Sequence, residues 1–320
     1  MTKEDLRIVF FGTPDFAVES LRRLVEGGYN IVGVVTMPDK IAGRGHRLIQ
    51  SAVKQYAVEQ GLHLMQPERL KDEAFINELR SLNAQLHIVI AFRMLPEVVW
   101  AMPPLGTFNL HASLLPKYRG AAPINWAVMN GDKVTGVTTF FLKHEIDTGD
   151  VIQQKSIEIG RTDNVEVIHD KLMLLGADMV LETVDAIIAG TVKPIPQLEM
   201  LDGELPTPAP KIFTETCRID WKRSAEELYN HIRGLSPYPA AWSEIVDGQG
   251  NVYHVKIFAT SEPLEKGGAA PGTIDADGKH LLVQCGDGML EILSLQLSGK
   301  RRMPAADFMR GFTIEGCRFQ

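Results

Sequence analysis

The stretch LRIVFFGTPDFAVESLRRLVEGGYNIVGVV, residues 6–35, decides the fold class. Residues 6–11 are a short apolar run, the pattern of a strand buried on both faces. Residues 16–26 follow a different period, which gathers Phe16, Val18, Leu21, Leu24 and Val25 on one side of a helix. Gly27-Gly28 stops that helix, and residues 31–36 supply a second apolar strand. Strand, helix and strand of these lengths make one βαβ unit, which requires a parallel sheet.

The same alternation continues outward to about residue 189, so the first part of the chain is an α/β domain. Ser51 caps a helix that runs to Gly61, and Asp72 starts another whose core face holds Phe75, Ile76 and Leu79. Residues 86–92 and 106–111 are the next strands, residues 136–142 and 151–159 pair near the sheet edge, and residues 165–189 form a long helix. Between residues 190 and 210 five prolines (194, 196, 206, 208 and 210) break any regular element, which marks a linker. Beyond it, Ser224 and Glu227 have the spacing of a capping box for a helix ending at Leu235. Short strand-like runs follow at 241–246, 252–259, 273–274, 280–284 and 289–297, separated by turns such as Asp247-Gly248 and Asp287-Gly288. That spacing predicts a small β-barrel over residues 211–320 behind an α/β domain at 1–189.

Composition narrows the function. Residues 86–92 carry His87 and end at Arg93, and nothing approaches the roughly 20 apolar residues of a membrane span. The N-terminus lacks the form of a secretory signal. Cys217, Cys285 and Cys317 match neither a CxxC pair nor a zinc pattern, so reduced thiols in a cytoplasmic protein are expected. The formal net charge of −7 argues mildly against wholesale wrapping of nucleic acid. Locally the sign reverses: Lys40, Arg44, His46 and Arg47 occur without an acid, in a loop that Pro38, Gly43 and Gly45 are expected to keep irregular. Such a loop suits phosphate contacts, although a solvated surface explains it equally well.

Ligands of open α/β sheets bind beyond the carboxyl ends of the strands. Gly12-Thr13-Pro14-Asp15 lies at one such end, but it lacks GxGxxG, so a nicotinamide-dependent dehydrogenase is excluded. Asn109 and His111 close another strand and, two residues apart, share a face. Side by side they can hold a carbonyl oxygen on which negative charge develops, or simply be a satisfied structural pair. The segment 144–150, HEIDTGD, offers Asp147 to orient His111 and to take a proton from an attacking amine; its plain alternative is a solvated loop.

The run NLHASLLPKYRGAAPI at 109–124 resembles the central motif of the 10-formyltetrahydrofolate-dependent formyltransferases, and DTGD at 147–150 resembles their second motif. GTPDFA at 12–17, Pro38-Asp39 with AGRG at 42–45, RIDW at 218–221, and GDG at 286–288 with LSLQ at 293–296 extend the similarity over essentially the whole chain, toward the members that formylate methionyl-tRNA. The resemblance implies a Rossmann-like catalytic domain followed by a smaller, OB-like barrel domain that binds tRNA. It implies Asn109, His111 and Asp147 as the catalytic trio, with no metal. The folate co-substrate is expected against Ser113, Leu114, Leu115 and Pro116 and near Phe92, Met94 and the segment 144–147. Initiator methionyl-tRNA is expected to be met by Arg44, with Lys40 and Arg47 beside it, and a monomer is the default. One position departs from the family: where Ala-Tyr-Gly is common, this chain has Ala91-Phe92-Arg93, which puts a charge beside the expected folate pocket and leaves Arg93 to point outward or to meet the cofactor's anionic tail.

Rival readings are separable by sequence features. A purine-pathway formyltransferase needs no second domain of about 110 residues, sugar-nucleotide enzymes are not expected to keep AGRG in a basic loop, and a formylfolate hydrolase shares the two motifs. A non-catalytic tRNA-binding module would leave Asn109, His111 and Asp147 without a purpose.

Overall fold

The apolar run of the opening stretch becomes strand β1 (Ile8–Gly12), buried at every residue, followed by helix α1 (Asp15–Glu26) and strand β2 (Ile31–Val35). The computed structural model describes every residue except 43–46, 202, 204 and 266, and at 42 and 47 the backbone only. A short antiparallel hairpin, β3 (Lys40–Ala42) and β4 (Arg47–Ile49), comes next. The loop expected to be irregular is therefore regular at its base, because the glycines fall within or beside 43–46 and leave two short runs free to pair.

Helix α2 (Ala52–Glu59) is capped by the Ser51 hydroxyl, which accepts from Lys54 N–H, and leads to strand β5 (Leu64–Met65). Helix α3 (Glu73–Ser81), strand β6 (Leu86–Ile90), the single turn α4 (Glu97–Trp100) and strand β7 (Thr107–His111) complete the parallel part. After the two-residue strand β8 (Arg119–Gly120) come helix α5 (Pro123–Met129), strands β9 (Val134–Phe141) and β10 (Val151–Glu158), and helix α6 (Val165–Ala189).

The main sheet runs β10-β9-β7-β6-β1-β2-β5, with β9 antiparallel to β7 and β10 at the edge. Parallel register places His87 beside Val9 and Thr107, and Val89 beside Phe11 and Asn109. Those residues share one face, and Val9, Phe11 and Val89 pack there with Val35, Phe75, Leu79, Leu95 and Val99. On the opposite face α6 approaches β7 closely enough that a Cβ at Gly176 would lie 2.7 Å from Leu110 Cδ2.

A 3-10 turn (Gln197–Met200) and strand β11 (Pro208–Ala209) interrupt the segment expected to hold no regular element; then come a second 3-10 turn (Glu215–Cys217), helix α7 (Ala225–Leu235), strands β12 (Ala241–Val246), β13 (Val252–Thr260), β14 (Ile274–Ala276), β15 (Leu281–Gln284), β16 (Met289–Leu297) and β17 (Met303–Pro304), helix α8 (Ala305–Gly311) and strand β18 (Arg318–Phe319). The order β14-β15-β16-β13-β12-β18 is antiparallel at each pairing, and a bridge between Thr273 and Arg318 joins its two ends into a barrel. Alternate residues of β12 (Ala241, Ser243, Ile245) point inward around Leu228, Ile232, Val255, Leu281 and Leu290. The capping box forms as expected, the Ser224 hydroxyl accepting from Glu227 N–H while the Glu227 carboxylate accepts from Ser224 N–H.

The chain divides into two compact units that are not contiguous in sequence: Met1–Gly120, Thr135–Ile157 and His169–Pro208 in one, and Ala121–Val134, Glu158–Ile168 and Ala209–Gln320 in the other. The second unit thus includes α5 and residues 158–168. There Asn125 Nδ2 donates to Gly234 O at 2.9 Å, and the buried Arg233 donates to Asp163 O at 2.7 Å. No helix among the described residues is long and apolar enough to cross a membrane.

Candidate active site

Asn109 and His111 end β7 on the same face of the sheet. His111 is 7% exposed, with its ring nearly perpendicular to that of Phe140. Its Nε2 lies 2.8 Å from Tyr118 O. A carbonyl oxygen only accepts, so Nε2 carries the hydrogen, and in the neutral ring Nδ1 presents its lone pair. Nδ1 stands 3.9 Å from Asp147 Oδ2, too far for a hydrogen bond but within ion-pair reach when the ring is protonated. Asp147 Oδ2 accepts from Gly120 N–H at 3.0 Å, and Oδ1 accepts no hydrogen bond among the described residues. Asn109 is partly exposed, and its amide forms no hydrogen bond among the described residues, so both N–H donors are available.

The loops that bring these groups together are conformationally demanding. Of the five non-glycine residues with left-handed φ among the described residues, three lie beyond strand ends at this site: Ala91 (+48°), Tyr118 (+61°) and Asp147 (+55°). Each costs about 1 kcal/mol or more and persists only where the surroundings impose it. At Gly149 a Cβ would lie 1.6 Å from Phe141 O, so the chain after Asp147 passes too close to β9 for any side chain. Gln197, 2% exposed, donates through Nε2 to both Asp147 O (2.9 Å) and Gly149 O (2.8 Å). Its Oε1 in turn accepts from Arg119 Nε and a terminal guanidinium nitrogen, at 3.0 and 2.8 Å.

Sequence reasoning missed Gln197, because one glutamine among prolines has no periodic signal; its place was assigned to a linker. Arg119 was visible only as part of a motif. Thr138 was missed as well. Its hydroxyl donates to Ser113 O (2.6 Å) and accepts from Leu115 N–H (3.1 Å), so β9 fixes the segment after His111.

The other expected site residues fall into two groups. Ser113 is fully buried with its hydroxyl on Lys117 O, while Leu115 packs with Phe140 and Val151, and Pro116 is buried beside it. Leu114 lies over Gly136, where a Cβ would meet its side chain at 2.6 Å. These four therefore form the floor that supports 117–120. Phe92 meets Phe11 edge-on at 5.8 Å, and Met94 is 72% exposed. Among the described residues Arg93 meets no carboxylate: its guanidinium donates to Glu68 O at 2.8 Å and to Pro67 O. His144, Glu145 and Ile146 are exposed around Asp147, and Lys40 is exposed on β3. Arg44 and the side chain of Arg47 lie outside the described residues. No cluster of three or more His, Cys, Asp or Glu arranged for a metal ion occurs among the described residues.

Residues 6–184 match the formyl transferase family and residues 211–313 its C-terminal domain. A methionyl-tRNA formyltransferase of Bacteroides thetaiotaomicron is 64% identical over 316 residues, covering 98% of both chains. One of Parabacteroides distasonis is 59% identical over 315 residues, covering 98% of this chain and 97% of the other. Among solved structures, the sugar 3N-formyltransferase WlaRD superposes with a TM-score of 0.66 at 18% identity, covering 92% of this chain and 99% of that one. HypX of Aquifex aeolicus, crystallised with tetrahydrofolic acid, superposes with a TM-score of 0.61 at 21% identity over 95% of this chain and 47% of that one. At such identities these two structures speak to the fold alone.

Proposed function

The chain belongs to the formyl transferase family, and from that membership we propose that it moves the formyl group of 10-formyltetrahydrofolate to the α-amino group of initiator methionyl-tRNA, yielding N-formylmethionyl-tRNA. The observation that carries the chemistry is the arrangement at the end of β7: two unpartnered amide donors on Asn109, and beside them a histidine whose Nε2–H is held by Tyr118 O so that only Nδ1 is open, toward Asp147.

In this reading Asn109 and protonated His111 Nδ1 donate to the formyl oxygen as charge develops there, the interaction that usually contributes most to acyl-transfer catalysis. The methionyl nitrogen forms its bond to the formyl carbon and loses a proton to Asp147 Oδ1, directly or through water. The bond from that carbon to N10 then breaks, and N10 takes up the proton that Asp147 received from the amine, directly or through water. With a free-amine pKa of about 7.7, the nucleophile needs only modest help to be neutral. Asp147 also stabilises the imidazolium, and its Oδ2 is kept in place by Gly120 N–H.

Phe92 and Met94 would contact the folate from the loop after β6, over a floor made by Ser113, Leu114, Leu115 and Pro116. Lys40, Arg44 and Arg47 would meet the acceptor end of the tRNA, with the barrel domain of residues 211–320 as a second tRNA-binding surface. A monomer in the cytoplasm completes the proposal.

The test is formyl transfer from 10-formyltetrahydrofolate to initiator methionyl-tRNA, run beside uncharged tRNA, glycinamide ribonucleotide and an amino-sugar nucleotide. Transfer to methionyl-tRNA alone is expected. Transfer to a small amine instead would keep the chemistry and overturn the substrate, and transfer to none would overturn both.

A further inference from the structure

Three loops at the carboxyl edge of the sheet are laced together by side chains that play no part in the chemistry above. The first loop follows β2, where Asp39 sits immediately before the hairpin. Its carboxylate takes Lys54 Nζ of α2 on Oδ2 at 2.5 Å, and both side chains are largely buried, 17% and 15% exposed. The second loop follows β5. Its Gln66 amide donates to Asp39 Oδ1 at 2.9 Å and to Met37 O at 3.0 Å, so both of its hydrogens hold the base of the hairpin. The third loop follows β6, and its Arg93 fork takes the next two carbonyls of the second loop, Pro67 O and Glu68 O. In the sheet β6 and β5 are separated by β1 and β2, so this fork ties the centre to the edge. Among the described residues Arg93 meets no carboxylate, and its contribution is geometric. A planar fork spans two successive carbonyls in a way a single ammonium does not.

We propose that Gln66 and Arg93 are positioning residues that set the basic hairpin β3–β4 from the cofactor-side loop, so that acceptor binding depends on residues remote from the acceptor. Their effect on methionyl-tRNA rests on the function proposed above; their effect on the hairpin does not. The arginine found where the family commonly has glycine then reaches the reaction through the hairpin, not through the folate's anionic tail.

The variants are Gln66→Met, which keeps length and removes the donors, Arg93→Ala, Arg93→Lys and the double Gln66→Met/Arg93→Ala. Each single variant is expected to raise KM for methionyl-tRNA about fivefold with kcat and KM for 10-formyltetrahydrofolate within about twofold. Arg93→Lys should not restore it, and the double variant should be no worse than the stronger single one, as for two links of one chain. Amide exchange of the unliganded protein over residues 36–42 should quicken in Gln66→Met and in Arg93→Ala while that of β1 stays unchanged. Multiplying effects in the double variant, a KM rise confined to the folate, or unaltered exchange at 36–42 would each overturn the proposal. If wild-type protein formylates another amine, the function above falls and the exchange measurement alone decides this one.

Discussion

His87 and His111 stand on one face of the same sheet, on neighbouring strands, and meet opposite surroundings. His87 is the second residue of β6, inside the strand, fully buried against the Phe11 ring at 5.2 Å, and burial pushes its pKa down to about 4. His111 lies at the last position of β7, also buried, yet one ring nitrogen has a carbonyl and the other faces a carboxylate. Mid-strand neighbours are other strand residues, whose backbone groups are spent on the ladder. Where a strand ends, loops arrive with free carbonyls, N–H groups and carboxylates. The same side chain is packing in one place and, in the function proposed here, a proton-handling group in the other, and a place at the carboxyl end of the strand makes the difference.

The largest effect should come from breaking the polar end. His111→Ala is expected to lower kcat/KM by about 10³, or about 4 kcal/mol, with thermal stability little changed. His87→Leu should leave kcat/KM within about threefold. Comparable losses in both variants, measured as formyl transfer on protein of matched fold by circular dichroism, would erase the distinction between the two positions.

The apolar middle has its own signature, in pH. An unfolded histidine titrates near 6.5, whereas folded His87 resists protonation down to about 4. Between those values the unfolded state binds the extra proton, so the contribution is fully present above pH 6.5 and is lost as pH falls toward 4, by about 3 kcal/mol. His231 in α7 is held neutral in the same way, to about 4, and belongs to the other compact unit. His87→Leu should therefore remove roughly half of the histidine-linked acid sensitivity. The check is the difference in denaturation midpoint between pH 7.5 and 4.5, with carboxylate contributions common to both proteins. An unchanged pH dependence would mean that His87 is less sheltered than its neighbours imply.

Much of this contrast was legible in the sequence, for local reasons. Residues 165–189 form the expected helix at both bounds, and strands 241–246 and 289–297 likewise, because apolar period and turn residues act within a few positions. Alternation alone put Asn109 and His111 on one face. Helix α5 was not foreseen, since its seven residues, PINWAVM, are apolar at every position but Asn125 and too few to show a polar-apolar period. The hairpin β3–β4 was hidden by its glycines. Nor does spacing reveal that segments 121–134 and 158–168 group with the barrel, because that depends on the partners of α7 such as Arg233. The approach of Asp147 to His111 was open to proposal from residue type, but its geometry needs a left-handed residue, a glycine pressed on Phe141 and a glutamine 50 positions away.

That glutamine gives the smallest and sharpest test. Gln197 touches no reacting group; its amide holds the carbonyls on either side of the turn that presents Asp147, and Arg119 fixes its orientation. Gln197→Ala leaves two carbonyls without their donor and frees the turn, while the carboxylate keeps its bond from Gly120. The expected loss is about tenfold in kcat, or about 1.4 kcal/mol, with KM for either substrate nearly unchanged, because the carboxylate is misplaced during proton transfer and not during binding. In an Asp147→Asn background the same change should cost almost nothing further, since there is no longer a base to position. A full tenfold loss in that background would mean that Gln197 acts on the site by another route, and the polar end of the sheet would then owe its chemistry to more than the loops that carry His111 and Asp147.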